Sequence, residues 1–233
     1  MDCFPATALT GATRWQTAVI REIHRPTDRI VMLRLEIPDR MMHLAGQHYV
    51  VRLTADDGYT ASRSYSVSSA PADELVELCD ERLDDGEVSG YLYDAVEVGD
   101  SLEVRGPIGG WFVWTGHCPA VAVGGGPGVA PLAAMLRLAA AGGHSDQLRL
   151  AVSARTADRL PFLDEFRAAG AVVALTASAG SRLTAAALRP LVGGAELGFV
   201  CGSAGFAEAM SVALNEGGLA ADRIRVERFG PTG

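Results

Sequence analysis

No block of five or six basic residues occurs in this 233-residue chain, and its formal net charge is −8. That balance excludes the usual electrostatic footprint for nucleic acid or an anionic membrane as partner. Cysteine is sparse: Cys3, Cys79, Cys118 and Cys201 stand far apart with no C-x-x-C pair. Neither a zinc site nor an in-chain iron–sulfur cluster can be assembled from that spacing, and free thiols suit the cytoplasm. The five histidines show neither H-E-x-x-H nor H-x-H spacing, so no metal site is expected. Long hydrophobic runs are also missing. The opening MDCFPATALTG has neither a positive segment nor a continuous apolar one, and the alanine-rich stretch after residue 129 is interrupted by Arg137 too soon to span a bilayer.

What is present is hydrophobic content of 48%, enough for a sizeable core in one large domain or two modest ones. The chain has two parts with different patterning. From about Thr17 to Gly109, short β-rich runs are separated by turns: IVMLRLEI, HYVVRL, SYSVSS, ELVELCDERL and DSLEVRGPIGG. That spacing predicts an N-terminal antiparallel β-barrel or sandwich. After Pro119, apolar strands alternate with helical segments. AVAVG leads to a helix opened by Pro131, LRLAVS to one opened by Pro161, AVVALTAS to LTAAALRPL, and LGFVCGS to GFAEAMSVALNEGG; RIRVERF closes the series. Five strands and four helices in alternation predict a C-terminal α/β doubly wound, five-stranded parallel sheet. The boundary is expected between Trp114 and Pro119, giving regions 1–116 and 117–233.

The segment VAVGGGPGVAPLAAM, residues 121–135, follows the first strand of the second region and precedes its first helix. It therefore lies at the carboxyl edge of a parallel sheet, where such folds bind ligands, and a pyrophosphate on the helix N-terminus is its natural occupant. Standard phosphate-loop patterns do not fit. A G-x-G-x-x-G started at Gly124 would place its last glycine at Val129, and no Gly-Lys-Ser/Thr follows. A tight turn that simply needs glycine is the other reading.

Five segments in order carry a resemblance: Arg63-Ser64-Tyr65-Ser66 in ASRSYSVSSAP, GEVSGYL at 86–92, GPIGGWF at 106–112, the glycine loop, and CGS at 201–203. Together they resemble the ferredoxin–NADP reductase superfamily of flavoprotein reductases, across nearly the whole chain. The resemblance implies a β-barrel that holds FAD and an α/β region that holds NADPH or NADH. It implies that Arg63 pairs with the flavin pyrophosphate, a role suited to a guanidinium fork, while Tyr65 lies against the flavin and Ser66 sits near the hydride-accepting N5. Ser64 and Arg82 fall in the same cofactor-binding set. Gly86, Glu87, Val88 and Ser89 correspond to a second phosphate-contacting turn.

In the second region the resemblance places Gly125, Gly126 and Gly128 against the nicotinamide-nucleotide pyrophosphate. The chain departs from the family at Pro127, where a Thr or Ser is common; proline supplies neither a hydroxyl nor an N–H. Arg155 and Arg182 follow the second and third parallel strands, and two guanidiniums there point to a 2′-phosphate and thus NADPH; solvated arginines at loop tips are the other reading. Cys201 and Gly202 match the start of a C-G-P motif, with Ser203 in place of proline. By resemblance Cys201 faces the nicotinamide, and Glu227 and Phe229 in ERFGPTG stand beside the flavin. Ser66, Cys201, Glu227 and Phe229 are accordingly the expected catalytic set.

The implied activity is hydride transfer from NAD(P)H to FAD, with electrons leaving singly to a separate acceptor. No plant-type C-x4-C-x2-C run exists here, so an iron–sulfur acceptor, a ferredoxin or an oxygenase component, would be another chain. Two further classes remain. A non-catalytic flavin module could sense redox state or serve a larger complex. A hydrolase with a nucleophile at Ser203 fits poorly, since G-x-S-x-G would need glycine at Cys201 and no histidine follows Ser203.

Overall fold

The computed structural model describes residues 14–177 and 182–229. The N-terminal part is a six-stranded antiparallel sheet formed by β1 (Trp15–His24), β2 (Ile30–Glu36), β3 (His48–Thr54), β4 (Thr60–Ser66), β5 (Val76–Glu81) and β6 (Ser101–Ile108). Their order is β4-β3-β6-β1-β2-β5. The two edges curl to meet: an isolated bridge joins Val67 to Leu78, and the Ser68 amide donates to the Glu77 carbonyl at 2.9 Å. The sheet is thereby closed into a barrel, which removes both edges. Alternation sets its inside. Leu33 and Leu35 of β2, Val76 and Leu78 of β5, and Ala61, Tyr65 and Val67 along β4 pack together in one buried cluster.

Helix α1 (Glu87–Asp94) follows β5 and turns Val88 and Leu92 into the same cluster. From the sequence this segment is expected to be a phosphate-contacting turn, and the structure makes it a helix. Eight residues with glycines at 86 and 90 carry little helical pattern, and burial against β4 and β5 supplies what propensity does not.

Residues 109–119 lead into the second part, with β7 (Ala120–Gly125), α2 (Ala130–Gly142), β8 (Leu148–Ala154), α3 (Leu163–Ala168), β9 (Val172–Leu175), α4 (Ala185–Val192), β10 (Leu197–Gly202), α5 (Ala204–Glu216) and β11 (Ile224–Arg228). All five strands are parallel in the order β11-β10-β7-β8-β9. Strand order reverses beside β7, which makes its carboxyl end the topological switch point. β7 and β10 are buried on both faces, as continuous apolar runs in parallel sheets are. Helix starts follow side-chain capping: the hydroxyls of Thr184 and Ser203 accept from the amides of Ala187 and Phe206 at 3.2 and 3.4 Å. Ser203 is thus a helix cap. Pro161 does not open α3 as expected; Phe162, at φ +60°, stands between them and forms the turn.

The two parts share one core. Ile30, Ala45 and Cys79 of the barrel side pack in a single buried cluster with Phe112, Trp114, Met135 and Phe199. Phe112 meets Phe199 edge to face at 5.2 Å, a pairing that adds about 0.5–1.5 kcal/mol to its burial. A polar joint reinforces the contact. Arg137 of α2 donates to the Ser68 carbonyl at 2.9 Å and to Glu77 at 2.6 Å on the barrel seam, and also pairs with Glu165 of α3 at 2.7 Å. Arg225 of β11, buried, donates to the carbonyl of Val113 in the connecting segment at 2.8 Å.

Candidate active site

Where the two parts meet, a cleft of about 430 Å³ opens between β3 and β4 on one side and the end of the chain on the other. His48 and Val50 come from β3, and Ser62, Arg63, Ser64 and Ser66 from β4. Glu227, Arg228 and Phe229 close the opposite wall. Residues more than 160 positions apart in sequence are brought together because β4 borders the barrel seam and β11 borders the parallel sheet.

The barrel wall carries unsatisfied polarity. The Arg63 guanidinium is exposed, donates only to the Ser62 carbonyl at 2.8 Å, and makes no ion pair among the described residues. The Ser66 hydroxyl is buried without a hydrogen-bond partner, as are the hydroxyl of Tyr49 and one carboxyl oxygen of Asp80. Buried polar atoms are normally satisfied, so the open hydroxyl of Ser66 beside the uncommitted Arg63 points to a polar ligand at this wall. Tyr65, by contrast, does not line the cleft; its ring packs in the barrel cluster, with Asp80 near its hydroxyl.

At the opposite wall, parallel pairing sets Cys201 beside Glu227 and Gly202 beside Arg228, and the Phe229 amide donates to the Gly202 carbonyl at 2.9 Å. Cys201 is fully buried one strand inward of the cleft. Burial first, then the charge of Glu227, pushes its thiol well up, so it is a neutral side chain at working pH. Burial alone raises the Glu227 carboxyl to about 7, which leaves it carrying a proton for much of the time near neutrality. Burial likewise lowers His48, which stands opposite Ser66 in the β3–β4 register and is neutral.

The second expected phosphate turn is present with some altered duties. Gly86 caps α1 with no side-chain cap, which leaves first-turn amides without helical partners. A side chain at Gly86 would overlap the Ser89 hydroxyl. That hydroxyl is occupied internally, accepting from the Leu83 amide at 3.2 Å and donating to the Gly86 carbonyl at 3.4 Å. Glu87 accepts from the Tyr59 hydroxyl at 3.3 Å, Val88 is buried in the barrel cluster, and Arg82 is tied to Asp94 at 2.9 Å.

The glycine loop is a 3-10 turn, Gly126–Val129, that runs straight into α2. Its glycines do different things. A Cβ at Gly128 would lie 2.8 Å from the Cys201 carbonyl oxygen, so this glycine lets the turn press against the end of β10. A Cβ at Gly125 would lie 3.0 Å from the Phe206 ring. Gly126, at φ +55°, faces open space and is the one through which a ligand can approach the backbone. Arg155 and Arg182 are exposed after β8 and before α4, with no ion pair among the described residues. Gly180 and Ser181, beside Arg182, lie outside the described residues, as do Cys3 and residues 230–233.

The family model for the oxidoreductase FAD-binding domain matches residues 19–113, the stretch that forms almost all of the barrel. The chain is 32% identical over 158 residues to the reductase component of propane 2-monooxygenase from Gordonia sp. (strain TY-5), covering 66% of this chain and 45% of that protein. It is 25% identical over 229 residues to the ferredoxin–NAD(P)+ reductase component of the naphthalene 1,2-dioxygenase/salicylate 5-hydroxylase systems of Ralstonia sp., covering 92% of this chain and 69% of the relative. The fold superposes with a TM-score of 0.76 on a ferredoxin–NADP+ reductase from Neisseria gonorrhoeae solved with bound FAD and NADP, at 18% identity, covering 92% and 98% of the two chains. The chain carries an oxidoreductase FAD-binding domain and, over nearly its whole length, is similar to the ferredoxin reductase-like FAD/NAD-binding superfamily. It has the same architecture as the FAD/NAD-binding part of a nitric oxide dioxygenase from Vibrio cholerae, with a TM-score of 0.77, 23% identity, and coverage of 93% and 99%. Among several of the curated relatives the superfamily segment is only part of a longer protein, this chain spanning 40–45% of the propane 2-monooxygenase reductases.

Sequence reasoning missed four members of the cleft, one of them Ser62, which precedes Arg63 on β4. His48 and Val50 enter through the pairing of β3 with β4, and Arg228 through its place between Glu227 and Phe229. The alternation of HYVVRL could have revealed the shared face of His48 and Val50, but not which strand lies beside it. Among the described residues no helix is long and apolar enough to cross a membrane.

Proposed function

We propose that this chain takes a hydride from NAD(P)H onto FAD and passes electrons singly to a separate acceptor protein. The observation that carries the reading is the cleft in which the Arg63–Ser66 strand of the barrel meets Glu227–Phe229 at the end of the parallel sheet. FAD, when bound, supplies the acceptance of two electrons and their release one at a time. Residues 1–116 seat it and residues 117–233 seat the nicotinamide nucleotide.

The residues present fit that cofactor. Arg63 offers an uncommitted guanidinium for the pyrophosphate, with the first-turn amides of α1 at Gly86 to Val88 as the second contact. Ser66 holds an unpartnered hydroxyl toward the ring edge that accepts the hydride. Glu227 holds a proton beside it. Cys201 forms a compact, neutral wall behind the nicotinamide, and Phe229 acts as the cover that an incoming nicotinamide displaces, so that donor and acceptor meet in a water-poor space. Gly126 admits the nucleotide phosphates to the turn before α2. The exposed guanidiniums of Arg155 and Arg182 support NADPH over NADH.

The acceptor is an iron–sulfur protein or oxygenase component on another chain, supported by relatives named as reductase components of oxygenase systems. The cytoplasm is the compartment we assign, supported by cysteines that stand far apart in sequence with no C-x-x-C pair. Purified protein is expected to be yellow, to release FAD on denaturation, and to bleach anaerobically with NADPH or NADH. A colourless protein that cannot be reconstituted overturns the flavin reading. Bound flavin that neither nucleotide reduces leaves a non-catalytic flavin module in its place.

A further inference from the structure

A second cavity, of about 490 Å³, opens at the other end of the β3–β4 hairpin from Ser66, and nothing in the scheme above occupies it. One of its walls is aromatic. Tyr59, just before β4, and Tyr91 of α1 line it and are exposed at 57% and 44%. Glu87 lies on the same side, one helical turn before Tyr91, and accepts from the Tyr59 hydroxyl at 3.3 Å. The other wall is polar and neutralises itself. Arg52 of β3 donates to both carboxyl oxygens of Glu103 on β6, at 2.7 and 3.1 Å, and the Thr54 hydroxyl donates to the same carboxylate at 3.2 Å. The Arg52 guanidinium also lies 4.1 Å from the centre of the Trp15 ring.

This arrangement selects its guest by charge and by shape. With Arg52 matched by Glu103, the charge left in the cavity is the carboxylate of Glu87, which makes no ion pair among the described residues. A carboxylate repels phosphate and accepts from hydroxyls. Two exposed phenol rings suit a flat base, which stacks on them whatever groups line its edge. An uncharged base carrying a sugar diol meets both demands. The cavity is also continuous with the place assigned to a pyrophosphate, because Gly86 and Glu87 open the α1 turn whose amides face it. Tyr59 is four residues before Arg63, about 13 Å along an extended strand, and on that face only Ala61 stands between them. Ser66, Arg63 and Tyr59 are therefore met in that order along one arm of the hairpin, as ring, pyrophosphate and nucleoside follow one another along FAD.

We propose that this cavity seats the adenosine of FAD, its base against Tyr59 and Tyr91 and its ribose hydroxyls donating to Glu87, so that the chain selects FAD over FMN; the inference rests on the flavin reading given above. FMN has the same ring, polyol and first phosphate and ends where the cavity begins. The seat adds affinity for one flavin and leaves the hydride-accepting ring alone. NADPH is not its guest, since the 2′-phosphate on that adenosine would stand against Glu87.

Titration of the flavin-depleted chain with FAD and with FMN, followed by flavin fluorescence, tests the assignment. Wild type is expected to bind FAD about a hundredfold more tightly than FMN. Y59A and Y91A should each lower FAD affinity about tenfold and E87Q a few-fold, all with FMN affinity unchanged, whereas Y59F and Y91F keep the rings and retain FAD. Equal wild-type affinities for the two flavins overturn the proposal, as do alanine variants that leave FAD affinity intact or lose FAD and FMN equally. Should the variants not fold, nitration of wild type with tetranitromethane, with sites read by mass spectrometry, takes their place. Protection of Tyr59 and Tyr91 by FAD and not by FMN supports the seat; equal protection, or none, overturns it. Further protection of FAD-loaded protein by 5′-AMP assigns the cavity to a free nucleotide and also overturns it. Binding of neither flavin removes the flavin reading itself.

Discussion

The barrel and the parallel sheet build their sides of the site by different means. The barrel wall presents side chains whose polarity is left open, such as the guanidinium of Arg63 and the hydroxyl of Ser66. On the sheet side Glu227, Arg228 and Phe229 line the cleft, and a turn of backbone lies before α2. Gly125 and Gly128 allow the turn before α2 to press on Phe206 and on the end of β10, and Gly126 leaves the main chain accessible. A side-chain wall can lose ligand affinity and keep its fold; a packed backbone turn is damaged in both at once.

Replacing Gly128 probes that contrast most severely. Its Cβ would stand 2.8 Å from the Cys201 carbonyl oxygen, a backbone atom that cannot rotate away. Gly128→Val is expected to cost about 3 kcal/mol or more in a thermal or urea melt, the upper end of overpacking penalties, and to displace Cys201 with it. Gly126→Ala, with open space around it but a positive φ, should cost only about 1–2 kcal/mol. Equal losses at the two positions would break the distinction between a packing glycine and an access glycine.

On the barrel side, Arg63→Ala removes a charge-assisted contact worth about 1.5–3 kcal/mol. FAD retention should fall about tenfold or more while the melting temperature of the flavin-free protein stays within a degree or two. A variant that unfolds would place Arg63 among structural residues. Arg155→Ala and Arg182→Ala are expected to act more weakly, each raising KM for NADPH a few-fold, about 1 kcal/mol for an exposed charged contact, with KM for NADH and kcat little changed. Equal use of the two nucleotides by wild type would remove the 2′-phosphate assignment.

The smallest effect expected is at Glu227, and it lies in pH dependence. Its carboxyl is raised in the folded chain from an ordinary 4.5 to about 7. The ionised form is therefore disfavoured by folding: the penalty is absent below about pH 4.5, grows as pH rises, and is complete above about 7. E227Q should flatten this slope in stability and also the pH dependence of anaerobic flavin reduction by NADPH near neutrality. Unchanged profiles in both would show that the carboxyl is indifferent to its surroundings.

Much of the architecture was legible because hydrophobic period and helix stops agree. AVAVG, LRLAVS, AVVALTAS, LGFVCGS and RIRVERF each became a parallel strand, and Gly217 and Gly218 follow the end of α5. β1 was harder to delimit because its pairing with β2 shifts register between Ile20 and Glu22, so charged Arg21 and Glu22 interrupt the alternation. The candidate site was legible where a residue type implies chemistry. Arg63, Ser66, Glu227 and Phe229 do line one cleft. Register and burial were not legible. The pairing that brings His48 opposite Ser66, the tuck of Ser89 under Gly86, and the burial that leaves Asp80 half satisfied all depend on which strand or turn packs beside which.

The buried cluster that runs from Ile30 and Ala45 through Phe112 and Trp114 to Met135 and Phe199 bears on how this chain can be cut and recombined. Severing it in the connecting segment would leave each piece with an uncovered apolar face and would strip Arg225 of the Val113 carbonyl that receives its hydrogen bond. Neither piece would be a ready-made module. A chimaera intended to exchange nucleotide preference would do better to keep Phe112, Trp114 and the Arg137 joint from a single parent and exchange only the exposed side chains at positions 155 and 182.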